Sequence, residues 1–200
     1  MKVQETVKLG LTLMIYATIA CVGLAFVYAR TKADIDRQDL LNLEMAIKEI
    51  FPDSDGFTDI GSTIQSADSA VIFENQYGIT TGGTLTGAAI QASTGSFNGP
   101  IKVLVGVNSL GTISSIKIMS HTDTPGLGAN AANDKYFVNR SAKITFYGQF
   151  TGKKITDPFE VKKDVDAITA ATITSDAVSR IVRSAGQAAY QWLVSEGAGQ

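Results

Sequence analysis

The chain has 200 residues, 44% of them hydrophobic, a formal charge of −2, one cysteine and one histidine. That is enough apolar material for a real core, while the charge excludes a basic nucleic-acid footprint and the Cys and His counts exclude a disulfide framework or a zinc-type site. Redox chemistry in such a chain requires a borrowed cofactor.

Leu9 to Ala29 carries no charged residue. At about 1.5 Å per residue this run crosses a hydrocarbon core of about 30 Å, so it predicts a single transmembrane helix. A cleaved signal peptide has a shorter apolar region, although Val27-Tyr28-Ala29 resembles a weak cleavage site. Cys21 reads as a buried membrane cysteine rather than a lipid-modified one. Lys2 and Lys8 on one side balance Arg30, Lys32 and Arg37 on the other, so the positive-inside count does not set the orientation.

Lys32 to Ile50 places Leu40, Leu43, Ala46, Ile47 and Ile50 at helical spacing and stops before Phe51-Pro52, which predicts a connecting helix with a solvated charged face. Residues 55–97 are rich in Gly, Ser and Thr with short apolar runs, which predicts small strands and turns. Gly82-Gly83 and Gly87 lack the Lys-Ser or Lys-Thr ending of a phosphate loop and read as turns. Ile101–Val107 and Thr112–Met119, joined by Asn108-Ser109-Leu110-Gly111, predict an antiparallel hairpin, and Lys143–Phe150 a further strand. From Ser175, the expected N-cap, Val178, Ile181, Val182, Ala185, Ala189, Trp192 and Leu193 mark an amphipathic C-terminal helix. The fold class is α+β, and the connections are too short for a parallel dinucleotide-binding sheet.

Two stretches carry chemistry. His121 to Asn130 reads HTDTPGLGAN. Pro125 fixes its own φ, Gly126 and Gly128 allow sharp turns and close approach to a flat ligand, and Leu127 offers an apolar face; the same residues also make an ordinary bend between strands. Asp166 to Ser175 reads DAITAATITS. Its hydroxyls stand where a helix begins, a place suited to capping and equally to a bound anion, with Thr172 just ahead of unpaired N–H groups. His121 reads as a structural residue, and no acidic pair, Ser-His-Asp set or Cys-His arrangement supports catalysis by side chains.

The second stretch resembles the flavin-attachment motif of the FMN-binding domain shared by the G subunit of Rnf complexes and the C subunit of Na+-translocating NADH:quinone reductase. That motif runs Asp, two variable residues, Ser or Thr, Gly, Ala, then the acceptor, and falls here on Asp166, Ala167, Ile168, Thr169, Ala170, Ala171 and Thr172. Ala170 stands where Gly is usual. The first stretch is similar to the family's His-x-Glu-Thr-Pro-Gly-Leu-Gly segment, with Asp123 in place of Glu. The resemblance covers Gly95 to Leu193.

The resemblance implies FMN joined through its phosphate to Thr172 and installed by a separate Mg2+-dependent flavin transferase that reads the motif. It implies that Asp166, Thr169, Ala170 and Ala171 shape or present the attachment point, and that Thr124, Pro125, Gly126, Leu127 and Gly128 border the flavin. It implies no metal ligand and no catalytic side chain in this chain. The expected organisation is a tail and transmembrane helix over 1–30, a connecting helix and small-strand region over 31–94, and an FMN-binding domain over 95–200. The implied role is an electron-transfer subunit of an ion-translocating oxidoreductase of the ferredoxin and NAD type, anchored in membrane lipid beside other membrane and redox subunits, its soluble domain outside the cytoplasm, with no nucleic-acid partner. The other readings are a quinone-reductase subunit, a stand-alone flavinylated electron-transfer protein, and a non-redox surface module.

Overall fold

The computed structural model describes residues 3–198. It divides into two compact units, one running up to Met45 and the other from Ala46 onward. The described residues of the first unit are helical, and their helix, α1 (Val3–Ile50), runs unbroken to Ile50 in the second. The two helices expected over 9–29 and 32–50 are thus one, because no proline or glycine interrupts the chain between them. Thr12 and Thr18 donate their hydroxyls to the carbonyls of Lys8 and Met14 at 2.9 and 2.8 Å, so neither leaves a bare O–H on the apolar surface. Leu9, Met14, Ile19, Leu24 and Phe26 are all exposed, and α1 is long and apolar enough to cross a membrane. Pro52 ends it, having no N–H to continue the ladder.

The second unit is built on an antiparallel meander of five strands in sequence order: β1 (Gly56–Asp59), β2 (Ile72–Thr81), β3 (Thr84–Gly95), β4 (Pro100–Asn108) and β5 (Ile113–Ser120). The expected hairpin of β4 and β5 is present, pairing Val105 with Ile116. The region expected to hold only small strands instead contains β2 and β3, of 10 and 12 residues. Gly82 and Gly83, at φ 60° and 76°, make the two-residue turn that joins them. β3 escapes pattern recognition because both of its faces are covered: Ala88, Ala89, Ile90 and Ala92 are all fully buried, so apolar and polar residues do not alternate. Gly106 sits where a Cβ would collide with Ile50 and Phe51, which pack on this face.

α2 (Thr172–Ser195) covers the other face. Val178, Ile181, Val182, Ala185, Ala189 and Leu193 are fully buried against Ile90, Val103, Val105 and Val107. Each buried Val, Ile or Leu contributes about 1.5–3 kcal/mol, which makes this contact the main tie between sheet and helix.

Between β5 and α2 the chain is mostly irregular. The strand expected over 143–150 is reduced to β7 (Ile144–Thr145), paired with β6 (Phe137–Asn139) and followed by a 3₁₀ turn at Gly148–Phe150. Lys143 has φ 53°, and the Thr145 hydroxyl accepts the Gly148 N–H at 3.1 Å, so a local turn replaces the ladder. Phe146 and Phe150, both fully buried, meet edge to face at 5.6 Å and anchor this segment in the core.

Candidate functional site

α2 begins at Thr172, and its N-cap is Ala171, four residues before the expected N-cap Ser175. Ser175 has another task. Its hydroxyl donates to the Ala171 carbonyl at 3.0 Å and accepts the Ile168 N–H at 2.9 Å, so it stitches the preceding loop to the first helical turn. No side chain caps the helix. Among the described residues no acceptor meets the N–H groups of Thr172, Ile173 or Thr174, and these donors stand at the positive end of the helix dipole.

The turn into this helix is sharp. Ala170 adopts φ 59°, the left-handed region that glycine occupies without penalty. The Thr169 N–H donates to the Tyr136 hydroxyl at 3.2 Å. Gln149 clasps the backbone of Asp166 from both sides, its amide oxygen accepting the Asp166 N–H at 2.7 Å and its Nε2 donating to the Asp166 carbonyl at 3.1 Å. Asp166 itself is exposed, and among the described residues its carboxylate has no hydrogen-bond or ion-pair partner.

The segment 121–130 folds against this helix start. Thr124 O accepts the Leu127 N–H at 3.1 Å, Gly126 takes φ 78°, and Asn130 Nδ2 donates to the Gly126 carbonyl at 2.9 Å. Gly128 is required by close approach: a Cβ there would lie 2.5 Å from Thr174 Oγ1 and 2.7 Å from Asp123 Cβ. Asp123 is 5% exposed. Its Oδ2 accepts hydroxyl hydrogens from Ser96 at 2.6 Å and Thr174 at 2.9 Å, and its Oδ1 accepts the Asn98 N–H at 3.0 Å. Burial pushes this carboxyl up, but the Ser96, Asn98 and Thr174 hydrogen bonds, with His121 nearby, hold it below the usual carboxylate range. His121 Nδ1 is buried with no hydrogen-bond partner among the described residues.

Together these segments enclose a cavity of about 330 Å³, within the size range of small-molecule sites. Asp123, Thr124, Leu127 and Gly128 line one wall, Ala170 through Thr174 another, and Phe97 from the β3–β4 turn a third. Of the residues proposed from sequence, Thr124, Leu127, Gly128, Ala170, Ala171 and Thr172 are in the lining, while Pro125, Gly126, Asp166 and Thr169 are not. Phe97, Ile173 and Thr174 escaped the sequence reading. Phe97, an aromatic within the polar turn Ser96-Phe97-Asn98-Gly99, was the legible signal; it is 69% exposed, and Ile173 is 54% exposed. These two and Leu127 make the cavity largely apolar, with Asp123, Thr124, Thr172 and Thr174 as its polar groups, a lining suited to a flat ligand with one polar end.

Comparison with known proteins gives this geometry a family. Residues 96–187, which contain every lining residue, match the family model of the FMN-binding domain. The chain is 31% identical to the G subunit of the ion-translocating oxidoreductase complex of Vibrio vulnificus, over 88% of its own length and 86% of that protein's. The chain belongs to the G-subunit family of ion-translocating oxidoreductase complexes. The G subunit of Shewanella piezotolerans is 32% identical, across 91% of this chain and 88% of its own length. That of Methanosarcina acetivorans is 29% identical, across 91% and 93%. Among solved structures, the crystal structure of Shewanella oneidensis NqrC matches with a TM-score of 0.47 and 19% identity, over 60% of this chain and 61% of that one. The similarity to the three G subunits extends over most of the chain and is not confined to the cavity.

Proposed function

We propose that this chain is the membrane-anchored, FMN-carrying electron-transfer subunit of an ion-translocating oxidoreductase complex, with the flavin held covalently through a phosphoester on Thr172. The observation that carries the reading is the position of Thr172: an exposed residue that opens α2, in the lining of a cavity that both motif stretches build, beside three N–H groups that meet no acceptor among the described residues. A phosphate there meets the helix dipole and those donors. The bond from the Thr172 oxygen to the FMN phosphorus would form as the hydroxyl loses its proton and the phosphorus–oxygen bond to a leaving nucleotide breaks in an activated flavin dinucleotide donor used by a flavin transferase. The chain thereby gains FMN less one water. The bound flavin would accept and release electrons, and the side chains have the supporting tasks of binding, orientation and water exclusion. The Phe97, Leu127 and Ile173 side chains offer apolar surface to the ring, and Gly128 lets the backbone come close. Asp166, exposed and with its backbone held by Gln149, suits recognition by the transferase better than electron transfer.

α1 anchors the chain in the bilayer, and the second unit faces the extracytoplasmic side in this reading. The electron donor and acceptor are cofactors of neighbouring subunits. The test is intact mass after co-expression with a flavin transferase. Wild type is expected to gain FMN less one water and Thr172→Ala to gain nothing; equal mass gain in both overturns the attachment. Full protection of the second unit from protease in spheroplasts would overturn the orientation.

A further inference from the structure

We propose that Asp123 governs the reduction potential of the flavin, acting as a fixed negative charge in the cavity wall that disfavours the charge added on reduction. The inference rests on the FMN reading above. Asp123 lines the cavity and is 5% exposed, so water screens it poorly. Its three donors are two hydroxyls and a backbone N–H, all neutral groups that stabilise the carboxylate without cancelling its charge. Among the described residues no Lys or Arg pairs with it, and the titratable neighbour is His121, two positions away. The opposing positive influence, the N–H groups opening α2, is spent on the phosphate end if Thr172 carries the flavin. The ring then faces a wall whose one formal charge is Asp123.

Each electron entering the ring from a reductant adds one negative charge unless a proton accompanies it, and a nearby carboxylate raises the free energy of that state. The same carboxylate also positions, through Thr174 and Ser96, two segments of the cavity. A test must therefore separate charge from shape. Full-length protein in detergent, loaded by a flavin transferase and checked by intact mass, is titrated with dithionite and mediators while the flavin spectrum is followed. Asp123→Asn is expected to shift the one-electron equilibrium toward reduction at least tenfold, about 59 mV more positive, while Asp123→Glu, which keeps the charge, and Thr174→Val, which removes a hydrogen bond but not the charge, stay near wild type. An unshifted Asp123→Asn, or equal shifts in Asp123→Asn and Asp123→Glu, overturns the proposal. Should Asp123→Asn fail to take up flavin, Thr124→Asp and Thr124→Asn, nearly isosteric and differing in charge on the same wall, replace it: a more negative potential for Thr124→Asp supports the proposal and coincident potentials overturn it. Wild type without added flavin mass refutes the FMN reading itself, a result visible before any potential is measured.

Discussion

Thr174 donates its hydroxyl to Asp123 Oδ2 at 2.9 Å, a bond between residues 51 positions apart that ties the first turn of α2 to the loop after β5. Both groups are buried, at 1% and 5% exposure, so the bond replaces water that neither can reach. Ser96 shares the same oxygen at 2.6 Å and extends the tie to the β3–β4 turn. The three walls of the cavity therefore meet at one carboxylate.

Thr174→Val keeps the shape and removes the donor, leaving a buried carboxylate short of one partner. A hydrogen bond to a charged group is worth about 1.5–3 kcal/mol, so we expect a loss of that order in urea denaturation of the detergent-solubilised protein. Thr174→Ser, which keeps the hydroxyl, is expected to recover most of it. Equal losses in both would show that the methyl packing, and not the bond, matters.

Ala170 stands at φ 59°, where a Cβ costs about 1 kcal/mol against glycine. Ala170→Gly removes that strain but adds freedom to the unfolded chain, a cost of about 0.4–1 kcal/mol. The expected net change in stability is therefore small and not destabilising, whereas Ala170→Val, branched at Cβ, is expected to be clearly destabilising. Thermal denaturation of the three proteins checks the order Gly at or above Ala, and Ala above Val. An Ala170→Val protein as stable as wild type would refute the strain.

Asp123 and Asp164 are expected to contribute to the acid limb of stability. Burial pushes the Asp164 carboxyl up, but the Glu160 and Phe159 N–H groups and Lys153, whose Nζ lies 3.2 Å from Oδ2, hold it down. Both carboxyls have folded values below their unfolded ones, so the unfolded chain binds more protons and stability rises with pH through that interval. Their contribution is fully present above the unfolded value of about 3.9 and is lost as pH falls through the folded values. Melting temperature measured from about pH 6 downward should fall steeply below about pH 4, and less steeply in Asp123→Asn. A slope unchanged by that substitution would remove Asp123 from the account.

Much of this was legible in local pattern. The apolar run of α1, the β4–β5 hairpin, the stripe on α2 and the two motif stretches are all statements about neighbours a few residues apart, which periodicity and residue type report directly. The length of β3 was not legible, since burial on both faces erases the alternation that marks a strand, and β2, exposed near Ile72 and buried from Gln76 to Ile79, shows no period-two pattern either. The N-cap of α2 lies four residues before Ser175 because Ser175 bonds to Ala171 and Ile168 rather than to an N–H further along the helix.

By itself, the sequence determined a membrane-length helix, an α+β domain and two stretches whose residue types suit a flat, anionic ligand. Only the tertiary structure decided that both stretches line one cavity, that Phe97 and Ile173 join them, that Ala170 bends the chain with positive φ, and that Asp123 is buried with three donors. The physical reason is range. Helix and strand periodicity arise from bonds and contacts close along the chain, whereas the cavity depends on packing and hydrogen bonds that join residues up to 51 positions apart, and those exist only once the sheet and α2 have closed on each other.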